Sequence, residues 1–292
     1  MKLIPEHEQG LALINVLLMV ALASGLIAAI LIAENAGIAR STRLHEAASA
    51  DAVLQGAELS AIAALRRDMV QHPDSDDQTE AWARISDTDR KIAGGRFTLL
   101  VADAQAKLNL NALAKNDGPS LILLPAIVQA LKLPPDTTIK MLALFKAVGP
   151  ISSIAQLGLA GIDPATIAKL AALCTVLPPD MNRINVNDAD EAMLSVLLGD
   201  PILGRLLANR RARLGLLTEG DFIAARSRVP AAAGFKSDFY WARGRVTIGG
   251  TTREQISLLR RDMADNQPRV VAISRWLGGA APLDAPPLKP TS

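Results

Sequence analysis

The sequence predicts an α+β protein: a long N-terminal helix, a small antiparallel sheet, and a large all-α domain inserted between strands. Three observations carry this prediction. Residues 11–33 form an apolar run without a single charge. Strand-like alternation occurs around Phe97–Ala102 and returns only after Phe235. Between those points lie short helical segments punctuated by Pro and Gly. Composition agrees, since 50% of the 292 residues are hydrophobic but only 3% are aromatic. A core built from Ala, Leu, Ile and Val favours helix.

Composition also excludes some functions. A net charge of +2 gives no general attraction to nucleic acid. Cys174 is the only cysteine, so no intrachain disulfide exists, and it reads as a small buried hydrophobe. The three histidines, His7, His45 and His72, are scattered, which argues against zinc. No nucleophile elbow, phosphate loop or metal-ligand cluster is recognisable, so the expectation is a protein without catalysis.

The first element is the N-terminal segment. From Leu11 to Ala33 the chain would span roughly 35 Å as a helix, enough to cross a bilayer. Secretory signal h-regions are shorter, and no obvious A-x-A-like cleavage site leads into a mature-looking start. The preceding MKLIPEHEQG is polar, with Glu6 and Glu8 set against Lys2. From residue 34 to 70 the helical pattern continues, with Ile38, Leu44, Ala48, Val53, Leu54, Leu59, Ile62 and Leu65 as its apolar face. QHPDSDDQTEAW, Gln71–Trp82, is rich in acids but lacks the D-x-D-x-D-G spacing of a calcium loop, and reads as a solvated loop.

Gly94–Gly95 reads as a turn before the strand at Phe97–Ala102, and DAQAKLNLN closes that strand. The helical domain, residues 105–233, contains two similar segments. Each has a helix, a tight turn (LAGID or LLGDP) and a second helix. Gly161 with Asp163, and Gly199 with Asp200, mark helix-hairpin-helix turns, each aspartate capping a helix that starts with proline. Such hairpins can offer amides to a DNA phosphate, and Arg205, Arg210, Arg211 and Arg213 follow the second one. An aspartate beside the turn would repel phosphate, so DNA is the less favoured partner. Strand signals at 237–250, 251–262 and 268–279 predict a three-stranded meander with turns at Gly249–Gly250 and Asp265–Asn266. Residues 71–104 and 234–278 would thus form one α/β domain, and the Pro-rich residues 279–292 a disordered tail.

The polar-to-apolar step at Gly10–Leu11 resembles the class III leader of type IV pilins and pseudopilins. That resemblance implies cleavage by a prepilin peptidase after Gly10 and N-methylation of Leu11, with residues 1–10 as leader. The fifth mature residue is then Asn15, where most such proteins carry glutamate. Lack of that glutamate resembles the minor pseudopilin K subunits of the type II secretion system. K-L-N-L-N at 107–111 and INVNDADEAML from Ile184 resemble motifs of the same family. The resemblance implies a pseudopilin fold in the bacterial inner membrane, single-pass, with its C-terminal domain in the periplasm. It implies a place at the pseudopilus tip with the I and J minor pseudopilins, and contacts with exoprotein cargo and the secretin. The family's acidic calcium segment has no counterpart in Ile122–Gly149, where Asp136 is the only acid, so that site is expected to be absent or weakened. The alternative is a membrane-anchored, helix-hairpin-helix DNA-binding protein of the competence type.

Overall fold

The computed structural model describes residues 6–179, 182–279 and 281–288, with side chains from residue 13 onward. The first five leader residues and residues 289–292 of the tail lie outside the described residues.

Helix α1 runs unbroken through Glu6–Gln71, 66 residues, or about 100 Å at 1.5 Å per residue. Residues 6–10, the apolar run and the amphipathic segment are one rod. It ends where Pro73 disfavours a helical conformation at His72. The rod's second half packs on a sheet through Ala47, Ala50, Leu54, Ala57, Ala61, Ala64 and Leu65. These residues recur three or four apart on one face. The predicted apolar face is corrected here, because Ile38, Leu44 and Leu59 are exposed. Apolar residues occur on both sides of this helix, and only one side meets the sheet. Turning about 100° per residue separates them.

The sheet has five antiparallel strands in sequential order: β1 (Asp87–Ile92), β2 (Gly95–Asp103), β3 (Phe239–Ile248), β4 (Thr251–Ala264) and β5 (Gln267–Leu277). β2 and β3 are neighbours although the whole helical domain lies between them in sequence. β1 is an addition to the prediction. Its sequence DTDRKI has almost no apolar signal, and it is an edge strand paired to β2 across a bulge. Charge on an edge strand guards against pairing with other chains. The turn before β2 uses Gly94 at φ +74°, a conformation that favours glycine.

Alternation divides the sheet into two faces. Leu99, Val101, Tyr240, Ala242, Leu259 and Val270 pack with α1 and with Trp82 from the short helix α2 (Ala81–Arg84). Phe239, Trp241, Ile256 and Leu258 face the other way, against Leu177 and Ala285. Ala285 belongs to the C-terminal tail, which corrects the expectation of disorder from residue 279. The Asp284 carboxylate is buried and accepts from Thr175 Oγ1 at 2.9 Å and Val176 N at 3.0 Å. Arg243 donates to the Pro286 carbonyl at 2.8 Å. Proline content made this segment look unstructured, yet one buried aspartate straps it to the domain.

The inserted domain has its own apolar core, including Leu110, Leu124, Ile127, Met141, Ile154, Leu157, Leu170, Leu194 and Phe222. It contains α3 (Gly118–Ala130), α4 (Asp136–Val148), α5 (Pro164–Leu173), α6 (Glu191–Leu198), α7 (Pro201–Leu214) and α8 (Glu219–Ala224). Leu110–Lys115 and Ile154–Ala160 are 3-10 helices, so the first hairpin opens with a 3-10 rather than an α-helix. Two-residue parallel ladders close the domain's base. One joins Leu108–Asn109 to Cys174–Thr175, and the other joins Ile184–Asn185 to Ala233–Gly234.

Candidate functional site

Three features could serve function: the anchor half of α1, the hairpin turns, and the polar joint between sheet and helical domain. The anchor carries no packing within the chain. From Leu13 to Ile32 the large apolar residues are all exposed, and the window of highest hydropathy, 2.8, is 0% buried. Length and apolarity suffice for a membrane span. Asn15 is exposed within this run, near its start. Gly10 and Leu11 lie in the helical backbone of α1, where no side chain is described.

At the first hairpin turn Gly161 adopts φ +69°, and Asp163 caps α5 by accepting from Thr166 N at 3.0 Å. At the second, Gly199 adopts φ +65°. Asp200 caps α7 by accepting from Ile202 N at 2.7 Å and Leu203 N at 3.3 Å. The amides that a phosphate would need are therefore held by carboxylates. Three of the four arginines of the basic run are also engaged. Arg205 pairs with Glu191 at 3.0 Å, Arg210 pairs with Asp221, and Arg211 donates to the carbonyls of Val186 and Ala189. α6 and α7 approach so closely that a Cβ on Gly204 would meet Ser195 Oγ at 2.2 Å. This geometry makes a packing unit rather than a nucleic-acid reader.

The joint lies at the end of α1 farthest from the anchor. Arg261 on β4, 3% exposed, donates to Asp68 of α1 at 3.1 Å, to the Ser237 carbonyl at 2.6 Å, and to Asp76. Its guanidinium also lies 5.0 Å from the centre of the Tyr240 ring. Burial opposes the Arg261 charge, but Tyr240, Asp76 and Asp68 outweigh it and raise the pKa. From Asp76 the bonds reach the helical domain. Asp76 N donates to the Phe235 carbonyl at 2.9 Å, and Asn185 Nδ2 donates to the Asp76 carbonyl at 3.0 Å. Asn185 Nδ2 also donates to Asp103 Oδ2 at 2.7 Å, an oxygen that Ser237 Oγ shares. Burial, aggravated by Asp188, pushes the Asp103 pKa up to about 8.

The asparagines of the two N-x-N motifs are structural. Asn109 accepts from Leu177 N at 3.0 Å. Asn111 accepts from Ile151 N at 2.8 Å and donates to the Leu177 carbonyl at 2.9 Å. Asn187 accepts from Leu217 N at 2.6 Å.

The loop at 71–82, read as solvated, is corrected: Asp76, Asp77 and Glu80 are all buried. They turn inward because Arg261, Trp82 and backbone amides supply donors. Trp82 Nε1 donates to Glu80 Oε2 at 2.6 Å, but burial still pushes the Glu80 pKa up to about 8. This loop also brings Glu80 beside Asp68 and His72, with one ligand atom of each lying within 4.8 Å of the others. Sequence reading missed that cluster, although Asp68 and His72 at i and i+4 were a usable signal. Cys174 is buried, as its small size suggested, and burial pushes its thiol up to about 12.

No protein-family model matches the chain. A curated relative, the type II secretion system protein K of Pseudomonas aeruginosa, is 25% identical over 318 aligned positions. That alignment covers 93% of this chain and 94% of the relative. Over nearly its whole length this chain is thus similar to a type II secretion system protein K. The fold agrees with a solved GspK-GspI-GspJ complex from the enterotoxigenic Escherichia coli type 2 secretion system. There the TM-score is 0.62 at 19% identity, covering 82% of this chain and 100% of that one. A K-like reading accounts for the long apolar helix, the small sheet and the large insertion together, and the DNA-binding alternative is not favoured.

Proposed function

We propose that this minor pseudopilin caps the tip of a pseudopilus anchored in the inner membrane, its folded part in the periplasm, and acts by assembly rather than catalysis. Prepilin peptidase would cut between Gly10 and Leu11 and methylate Leu11. The observation that carries the reading is the position of the helical domain at the end of α1 opposite the anchor, held by Asp68, Asp76 and Arg261. A bulky head there obstructs any subunit stacking above. Asn15 fits this position, because an amide cannot supply the charge that recruits an incoming N-terminal ammonium. I- and J-type minor pseudopilins, with which the solved relative is complexed, are the expected partners. They would cover the outer apolar face of α1, including Ile38, Leu44 and Leu59. Cargo and secretin would be met by the head.

N-terminal mass spectrometry of the membrane-extracted chain tests the processing. A chain starting at N-methylated Leu11 supports it, and a start beyond Ala33 sinks it. Cysteine cross-linking along the outer face of α1 tests the placement. A tip subunit cross-links only to subunits below it, so a partner trapped above the head would refute the cap. Asn15→Glu should leave secretion intact.

A further inference from the structure

We propose that Asp68, His72 and Glu80 form a binding site for one divalent transition-metal ion, of which zinc is the fitting probe. The three side chains each place a ligand atom within 4.8 Å of the other two. Asp68 and His72 stand one turn apart at the end of α1, and Glu80 comes from the loop before α2.

Two independent observations point to a cation. The first is an orphaned oxygen. Glu80 is 4% exposed, and its Oε1 has no hydrogen-bond partner, nor has Oδ1 of neighbouring Asp76. A buried carboxyl oxygen without a partner is expensive. A metal ion satisfies it where the protein supplies nothing. The second is access. The His72 side chain is 47% exposed while that of Asp68 is 0% exposed, so the imidazole forms the mouth of the site. Its Nδ1 already lies 3.1 Å from Asp68 Oδ1, a spacing from which one ion can take both ligands.

The donor set chooses the metal class. One imidazole nitrogen and two carboxylates suit zinc, with water completing a tetrahedron. Calcium takes six to eight oxygens, more than this cluster offers. Bound metal would tie the end of the rod to the loop whose Asp76 holds Phe235 and Asn185. It would therefore stiffen the joint between rod and head.

The test uses the full chain in detergent, stripped with chelator and titrated with zinc by calorimetry. One ion per chain is expected, together with a raised melting temperature that excess calcium does not reproduce. His72→Ala changes an exposed side chain and leaves the fold intact, and it should weaken binding at least about tenfold. Glu80→Gln should do the same, with circular dichroism checking its fold. Cobalt substituted for zinc should give a visible absorption band that His72→Ala removes. Absence of stoichiometric binding overturns the proposal. So does affinity unchanged in His72→Ala, or displacement by calcium. The cluster would then be hydrogen-bonded only.

Discussion

Replacing Arg261 by Met should be among the most damaging single changes in the folded part. Among the described residues Arg261 is the one cation placed against both Asp68 and Asp76, and each of those carboxylates is fully buried. Methionine fills much of the volume but leaves Asp76 with only the Ser237 amide and Asp68 with only His72. It also leaves the Ser237 carbonyl without its 2.6 Å donor. Breaking a buried pair by removing one partner is destabilising by about 3–5 kcal/mol. For a chain of this size each kcal/mol moves the melting temperature about 2–4 °C, so a fall of roughly 6–20 °C is expected. The assay is thermal melting in detergent, followed by tryptophan fluorescence. Trp82 reports directly, with its ring 5.0 Å from that of Tyr240 beneath the guanidinium. The mechanism has a pH signature. With the arginine gone, protonation relieves Asp76, whose pKa burial already raises, so the loss should be smaller near pH 4.5 than near pH 8. Asp76→Asn on the Arg261→Met background should recover part of the stability, because it removes one stranded charge. A loss below about 1 kcal/mol, or one equal at both pH values, would refute the view that the joint depends on charge.

Wild-type stability should fall as pH rises from about 4 to 8. Burial pushes Asp103 and Glu80 up to about 8 in the fold from ordinary values of 3.8 and 4.5, so the native state binds more protons across that window. His72, also raised by its bond to Asp68, acts in the same direction, and Asp103→Asn should flatten the slope measured by melting across pH. Gly204→Ala should destabilise the α6–α7 hairpin by about 1–3 kcal/mol or more, since the new Cβ would meet Ser195 N at 2.6 Å. Hydrogen exchange over residues 191–214 reads that change. Asp284→Ala strands the Thr175 hydroxyl and the Val176 amide, at about 1–3 kcal/mol for each buried group left unpaired, and limited proteolysis should then clip the tail.

What was legible in the sequence follows from the range of the forces involved. The rod, the hairpin caps at Asp163 and Asp200, and strands β2 to β5 announce themselves within a few residues. Their signals are periodicity, capping and turn chemistry, all of them local. β1 was missed because an edge strand of polar residues draws its order from β2 rather than from its own pattern. The inward face of α1 was misassigned because alanine, not leucine, does most of the packing where Gly244 lets the helix approach. Ala50, Ala61 and Ala64 are fully buried, while Leu44 and Leu59 are exposed. Hydrophobicity alone ranks these the wrong way.

The joint was the least legible part, and the reason is distance along the chain. Asp68 meets Arg261 across 193 positions, Asp76 meets it across 185, and Asp103 meets Asn185 across 82. No window of sequence contains both partners. Asp76, Asp77 and Glu80 therefore looked solvated when they are buried. Sheet and head keep largely separate apolar cores, joined by a small apolar cluster around Leu177 and, at the joint, by hydrogen bonds of fixed direction. Apolar contact is non-directional and would tolerate a range of head angles. A buried, hydrogen-bonded charge tolerates few, because each misplaced donor leaves an acceptor unsatisfied. In the proposed cap role, a set orientation would matter more than buried area. On that proposal, carboxylates raised in pKa by burial would be kept at the joint for direction, where leucines would bury more cheaply.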